Sequence, residues 1–230
     1  MSANLALAPD LAARRGDSSA RPRRASIAPY LIWLLVLVSL VSWRRDVFFA
    51  GAADPVVIVK AAIGSGAFLL AALPVRHSSI RAPLGAGAIV LVVFYVALSA
   101  IGGYAAGSLV SAAIISIRVL LIAATIMLVV HRFPARVVFR SLLASMAIVG
   151  VCAAISGAGG ILAGNRLSGS FPPLNPNDIA LLCAVPAIGI VYEMVVERHS
   201  WTFRVPTLGL LLWIVWLTGS RTGLLALIVA

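Results

Sequence analysis

Acidic residues are scarce in this sequence, with seven Asp and Glu against eighteen Lys and Arg in 230 residues. The seven are Asp10, Asp17, Asp46, Asp54, Asp178, Glu193 and Glu197, and none lies at the centre of an apolar run. Proton-coupled carriers rely on carboxylates inside the membrane. Their absence argues against a proton pump and leaves a sodium- or substrate-only carrier open. Cysteine is nearly absent. Cys152 and Cys183 both fall in apolar runs and read as small buried hydrophobes. No CxxC or HExxH spacing occurs, so no metal and no other cofactor is expected. The three histidines, His77, His131 and His199, fall between apolar runs and read as solvated loop residues. Charge of both signs amounts to 11% of the chain, against about 25% in an ordinary soluble domain. That deficit excludes a soluble globular protein.

What is present is apolar: 62% of residues, with a mean hydropathy of +1.08. Bilayer spans need about 20 mostly apolar residues. Runs of that kind cover 28–43, 55–74, 83–101, 109–130, 141–162, 179–195 and 206–218, and 222–230 begins another. The pattern predicts an all-α, polytopic transmembrane helix bundle with about seven complete spans and a partial eighth. Residues 1–27 form a separate segment rich in Ala, Ser and Arg, without apolar periodicity, and read as a disordered basic cytoplasmic tail. Residues 28–230 are the transmembrane domain. Ala50-Gly51-Ala52 resembles a signal-peptidase site. Arg44, Arg45 and Asp46 intervene before it, which favours an uncleaved first helix. Trp43 and Trp216 suit one membrane interface, and Tyr30 and Trp201 the other.

A net charge of +11 would suggest nucleic acid in a soluble protein. Here the basic residues sit in the short segments between runs, so they report topology, and no nucleic-acid partner is expected. With the tail placed inside, alternate segments hold twelve Lys and Arg inside and four outside, a positive-inside bias. The outside set is Arg44, Arg45, Arg166 and Arg221. Lys60 and Arg118 lie within spans. Lys60 is near enough to a span end to snorkel. Arg118 is about nine residues into the fourth run, roughly 13 Å from its outer end, and is a candidate for binding an anion. The glycines of "GGYAAG" and "SGAGG" read as close helix packing.

Two stretches interrupt the apolar pattern. "NRLSGSFPPLNPND" spans 165–178 and holds Arg166 among three prolines. Asn177 and Asp178 read as the N-cap of the following span. "WLTGSRTGLLALIVA" begins at Trp216. Its Ser220 and Thr222 can cap helix ends, and Arg221 with exposed amides can hold an anion.

Together the two stretches resemble the O-antigen ligase family, within the O-antigen ligase/polymerase superfamily. Arg166, Gly169, Ser170, Phe171, Pro176, Asn177, Ala180, Ser220 and Arg221 match its pattern. The turn "PPLN" is about two residues longer than the usual one. The resemblance in span spacing covers about residues 28–230, and the specific motifs occupy 164–180 and 217–227. It implies a metal-independent membrane glycosyltransferase on the periplasmic face of the bacterial inner membrane, with a cytoplasmic N-terminus. The partners implied are an undecaprenyl diphosphate-linked glycan donor, an acceptor hydroxyl on the lipid A core or another glycan, and membrane lipid. Arg166 and Arg221 are the implied catalytic residues. Arg118, Asn177 and Ser220 are candidate substrate-binding residues. A departing diphosphate gains negative charge, which the planar guanidinium fork matches. The resemblance also implies a longer protein, whose base histidine lies in a periplasmic loop after the eighth span. A polymerase of the same superfamily and a transporter of an anionic lipid or solute are the alternatives.

Overall fold

A computed structural model describes residues 27–41, 43, 55–73, 86–105, 107, 109–162, 164–196 and 202–229. The tail 1–26 and Arg44, Arg45, Arg76, His77, Arg81, Arg198, His199 and Trp201 lie outside the described residues, as do all acidic residues except Asp178 and Glu193. Among the described residues every regular element is a helix: α1 (Ala28–Leu40), α2 (Pro55–Ala72), α3 (Ala86–Ala105), α4 (Leu109–Arg132), α5 (Ala135–Leu162), α6 (Pro176–Val196), α7 (Arg204–Thr218) and α8 (Arg221–Val229). Helices suit an apolar solvent because they satisfy their backbone groups internally. Four stretches, Pro55–Ala72, Ala112–Arg132, Ala135–Ile161 and Pro176–Val196, are long and apolar enough to cross a membrane. Ala28–Leu40, Ile89–Ala105 and Arg204–Thr218 are shorter apolar helices.

α5 starts at Ala135, six residues before its apolar run. The carbonyl of Pro134 accepts from the amides of Val137 and Val138, so the helix is nucleated by the proline turn and its charged first turns precede the apolar stretch. His131, expected in a loop, lies in the last turn of α4.

Two apolar clusters organise the chain. One joins Ile32, Trp33 and Val36 of α1 to Ala67 and Ala71 of α2, with Val129 and Val138. The other joins α5, α6 and α7 through residues such as Ala153, Ile179, Cys183, Leu211 and Val215. Leu167 and Leu174, from the segment between α5 and α6, are buried in this second cluster. Small residues permit the close approaches. A Cβ on Gly150 would lie 2.8 Å from Cys183 Sγ, and one on Gly223 2.8 Å from Ala180 Cβ. The expected packing role of "GGYAAG" is not seen at Gly102, which has nothing within 4 Å. Cys183 is buried as expected, whereas Cys152 is exposed. It shares its face of α5 with Ile155, which is 71% exposed.

Side-chain bonds sort the helix termini into two ends. At one, Arg132 at the close of α4 donates to the carbonyls of Ala72 and Leu73 at the close of α2. Glu193, late in α6, pairs with Arg140 early in α5 and Arg204 at the start of α7, each at 2.6 Å. At the other end, Lys60 early in α2 and Arg118 of α4 reach carbonyls at the close of α1. There too the segment after α5 meets the close of α7. Arg132, Arg140 and Arg204 therefore fall at one end, and Arg166 and Arg221 at the other.

Candidate functional site

The site is built from the segment 164–175 and the bend 218–221. The segment is fastened to α5 by Ser156. Its Oγ donates to Ala153 O at 2.8 Å and accepts from the amides of Ser170 at 3.2 Å and Phe171 at 3.0 Å. Gly157 makes this approach possible: a Cβ there would overlap the Ser168 carbonyl oxygen and lie 2.7 Å from its carbon. Gly169 N donates to Leu174 O at 2.9 Å, and Leu174 N to Pro172 O at 2.8 Å, so the segment folds into a compact turn. The Phe171–Pro172 bond is cis.

The N-cap of α6 is Asn175, which corrects the assignment to Asn177 and Asp178. Asn175 Oδ1 accepts from Asp178 N at 2.9 Å, and its carbonyl accepts from Ile179 N at 3.2 Å. Pro176 then occupies the first helical position, where its lacking N–H costs nothing and its fixed φ is already helical. Asn177 is exposed in the first turn of α6, and Asp178 adds a negative charge favourable to a helix N-terminus.

At the bend, α7 ends on Gly219 in the left-handed region (φ 58°), its amide donating to Trp216 O. Only glycine enters that region without strain. Ser220 follows, 1% exposed, and caps α8: its Oγ accepts from Gly223 N at 3.2 Å, and its carbonyl accepts from Leu224 N at 3.1 Å. The amide of Ser220 donates to Thr218 Oγ1 at 3.2 Å. Ser220, the expected substrate ligand, is thus a structural cap whose hydroxyl already serves the α8 backbone. Arg221 opens α8 and is exposed.

The two stretches meet. Leu167 N donates to Leu217 O at 3.2 Å. Arg166 donates through Nε to Thr218 O at 2.9 Å and through Nη2 to Gly219 O at 2.7 Å. The last carbonyls of a helix lack intrahelical partners and carry partial negative charge, so a guanidinium fork closes this terminus well. Two of its five N–H groups are engaged in these bonds, and the residue is exposed. Two residues after Gly219 stands Arg221, with the positive N-terminal end of α8 behind it. Ser220 satisfies two of the first four α8 amides and leaves those of Arg221 and Thr222 facing out of the helix start. Two permanent cations and a helix N-terminus thus concentrate at one bend, an arrangement suited to a polyanion.

Arg118 is placed elsewhere at the same end. It is half-buried and donates through Nη2 to Ser39 O. A ring contact links that region to the segment, Trp43 meeting Phe171 edge-on at 6.4 Å between centroids. Sequence pattern alone does not mark Ser156, Asn175 or Lys60 as site-building residues. Ser156 hid among small residues suggestive of helix packing. Asn175 was overshadowed by Asn177, although Pro176 marks the helix start. Among the described residues no group of three or more His, Cys, Asp or Glu could hold a metal ion. No family model, no curated protein and no solved structure matches the chain.

Proposed function

We propose that this chain is an O-antigen ligase-like membrane glycosyltransferase. It moves a glycan from undecaprenyl diphosphate to an acceptor hydroxyl, that of the lipid A core, on the periplasmic face of the bacterial inner membrane. In this reading α1–α7 are seven complete spans, α8 is a partial eighth, and the N-terminus is cytoplasmic. The shorter helices α1 and α7 then depend on aromatic flanks such as Trp43 and Trp216 at the interface.

One observation carries the reading. Arg166 binds the carbonyls of Thr218 and Gly219, which brings together the two stretches that resemble the family pattern. The free N–H groups of Arg166, the Arg221 side chain and the outward amides of α8 supply donors for the diphosphate. Their charge stabilises the leaving group as the glycosidic bond breaks, without a metal. Asn177 lies in the adjoining first turn of α6 as a donor to the glycan. The proline-rich turn and the Ser156 and Asn175 bonds hold the segment in place before binding, so little ordering cost falls on the donor.

The test is donor binding. The purified chain in nanodiscs of neutral lipid is titrated with a polyprenyl diphosphate-linked glycan. Saturable binding is expected, weaker for the same glycan on a monophosphate, and reduced roughly tenfold or more by Arg221→Ala. Equal affinity for diphosphate, monophosphate and phosphate-free lipids contradicts the proposal.

A further inference from the structure

A second group of cations, apart from Arg166 and Arg221, gathers where α1 ends. α1 has 13 residues, so it spans about 20 Å against a hydrocarbon core of about 30 Å. Its terminal carbonyls therefore need partners that neither water nor lipid tails provide at depth. Three donors from three segments supply them. Arg118 Nη2 donates to Ser39 O, Lys60 Nζ donates to Val41 O at 2.7 Å, and Trp43 Nε1 donates to Val38 O at 3.0 Å. Lys60 belongs to α2 and Arg118 to α4, so two separate helices each direct a cation to one helix terminus.

Capping explains one N–H from each cation but not their charge. A helix C-terminus carries about half a negative charge, whereas Lys60 and Arg118 bring two full positive ones. Of the two described carboxylates, Glu193 is paired with Arg140 and Arg204, and neither it nor Asp178 is bonded to Lys60 or Arg118. Burying charge without compensation is costly, and intramembrane cations face partners or polar cavities. Two of the three ammonium protons and four of the five guanidinium N–H groups are not used by the carbonyls.

We propose that Lys60 and Arg118 form a cationic cradle for a phosphate group carried on a lipid. A phosphate supplies one to two negative charges, and its several acceptor oxygens match the donors that the α1 carbonyls leave over. A lipid tail would lie along the apolar surfaces of α2 and α4, where Ile58, Val59 and Ile117 are exposed. The cradle stands independently of glycan transfer at the bend. The Trp43–Phe171 contact sets the two sites side by side at one end of the bundle.

The experiment uses the full chain in phosphatidylcholine nanodiscs and measures binding by native mass spectrometry and fluorescence titration. Three probes are used: phosphatidylglycerol, a polyprenyl monophosphate and inorganic phosphate. Binding of either lipid is expected, weakened roughly tenfold or more by Lys60→Gln with Arg118→Gln and unchanged by Gly160→Ala, a position with nothing within 4 Å. Preference for phosphatidylglycerol identifies a bilayer lipid as occupant, and preference for the polyprenyl compound identifies a lipid-linked substrate. Should the double variant not insert, Lys60→Glu alone decides, since charge reversal is expected to abolish binding while Lys60→Arg retains it. Lipid binding that survives Lys60→Glu, or binding of inorganic phosphate without either lipid, overturns the proposal. Loss of binding with Arg221→Ala but not with the Lys60 variants reassigns the phosphate to the bend.

Discussion

Replacing Gly157 by alanine probes how the loop is held, and its effect can be worked out from the packing. The added Cβ would overlap the Ser168 carbonyl oxygen and lie 2.7 Å from its carbon, where carbon atoms settle at about 3.5–4.0 Å. The segment must therefore retreat from α5 by about 1 Å. Ser156 Oγ bonds the amides of Ser170 and Phe171 at 3.2 and 3.0 Å, and a retreat of that size breaks both. Overpacking costs about 1–3 kcal/mol and each lost bond about 0.5–1.5 kcal/mol, so the total is roughly 2–6 kcal/mol. For a chain of this size that lowers Tm by at least about 4 °C. Two internal controls lie on the same helix. Gly159 and Gly160 have nothing within 4 Å, and alanine there is expected to be neutral or stabilising by up to about 1 kcal/mol. The assay is thermal unfolding of the detergent-solubilised chain followed by circular dichroism. A Gly157→Ala Tm equal to that of Gly160→Ala would refute the proposed contact between α5 and the segment.

Asn175→Ala is expected to cost about 1 kcal/mol through loss of the α6 cap, whereas Asn177→Ala stays within about 0.5 kcal/mol of the parent; the two thermal midpoints check this. Glu193→Gln leaves Arg140 and Arg204 facing each other without the carboxylate that joins them. The pairs are only partly shielded, so a loss of about 1–2 kcal/mol is expected, between the exposed and buried limits, and a double-mutant cycle with Arg204→Gln measures it. Arg166→Ala removes two bonds to the α7 terminus and is expected to lower both stability and donor affinity. Arg221 is exposed, so Arg221→Ala is expected to lower affinity with little change in stability, and the pair of variants separates the structural role from the binding role.

The helices were legible because apolar runs of span length leave few other structures open to the backbone. The division of arginines between two ends was legible for the same kind of reason, since loop charges alternate with the runs. Local detail was less so. α5 begins before its apolar run at the Pro134 turn, and its charged first turns are held by the Arg140–Glu193 pair, 53 positions apart, which no local pattern records. The N-cap of α6 lies two residues before Asn177, which like Asp178 is a good capping residue; Pro176, which fixes the first helical position, makes Asn175 the cap. Within the candidate site, the two stretches could be recognised, but the bond that joins them could not. Arg166 closes a helix terminus 52 and 53 residues away, a contact set by how α5, α6 and α7 pack. Lys60 read as a snorkelling side chain because its acceptor, Val41 O, comes from a different helix end.

The proposed diphosphate site is shared by the 164–175 segment and the 218–221 bend. A polyprenyl diphosphate carrying a photoreactive group beside the diphosphate tests this directly. After irradiation in nanodiscs, peptide mapping should find label on both segments, competed by unmodified donor and lost in the Arg166→Ala, Arg221→Ala double variant while that variant remains folded. Label confined to other parts of the chain, or undiminished in the folded double variant, would contradict it.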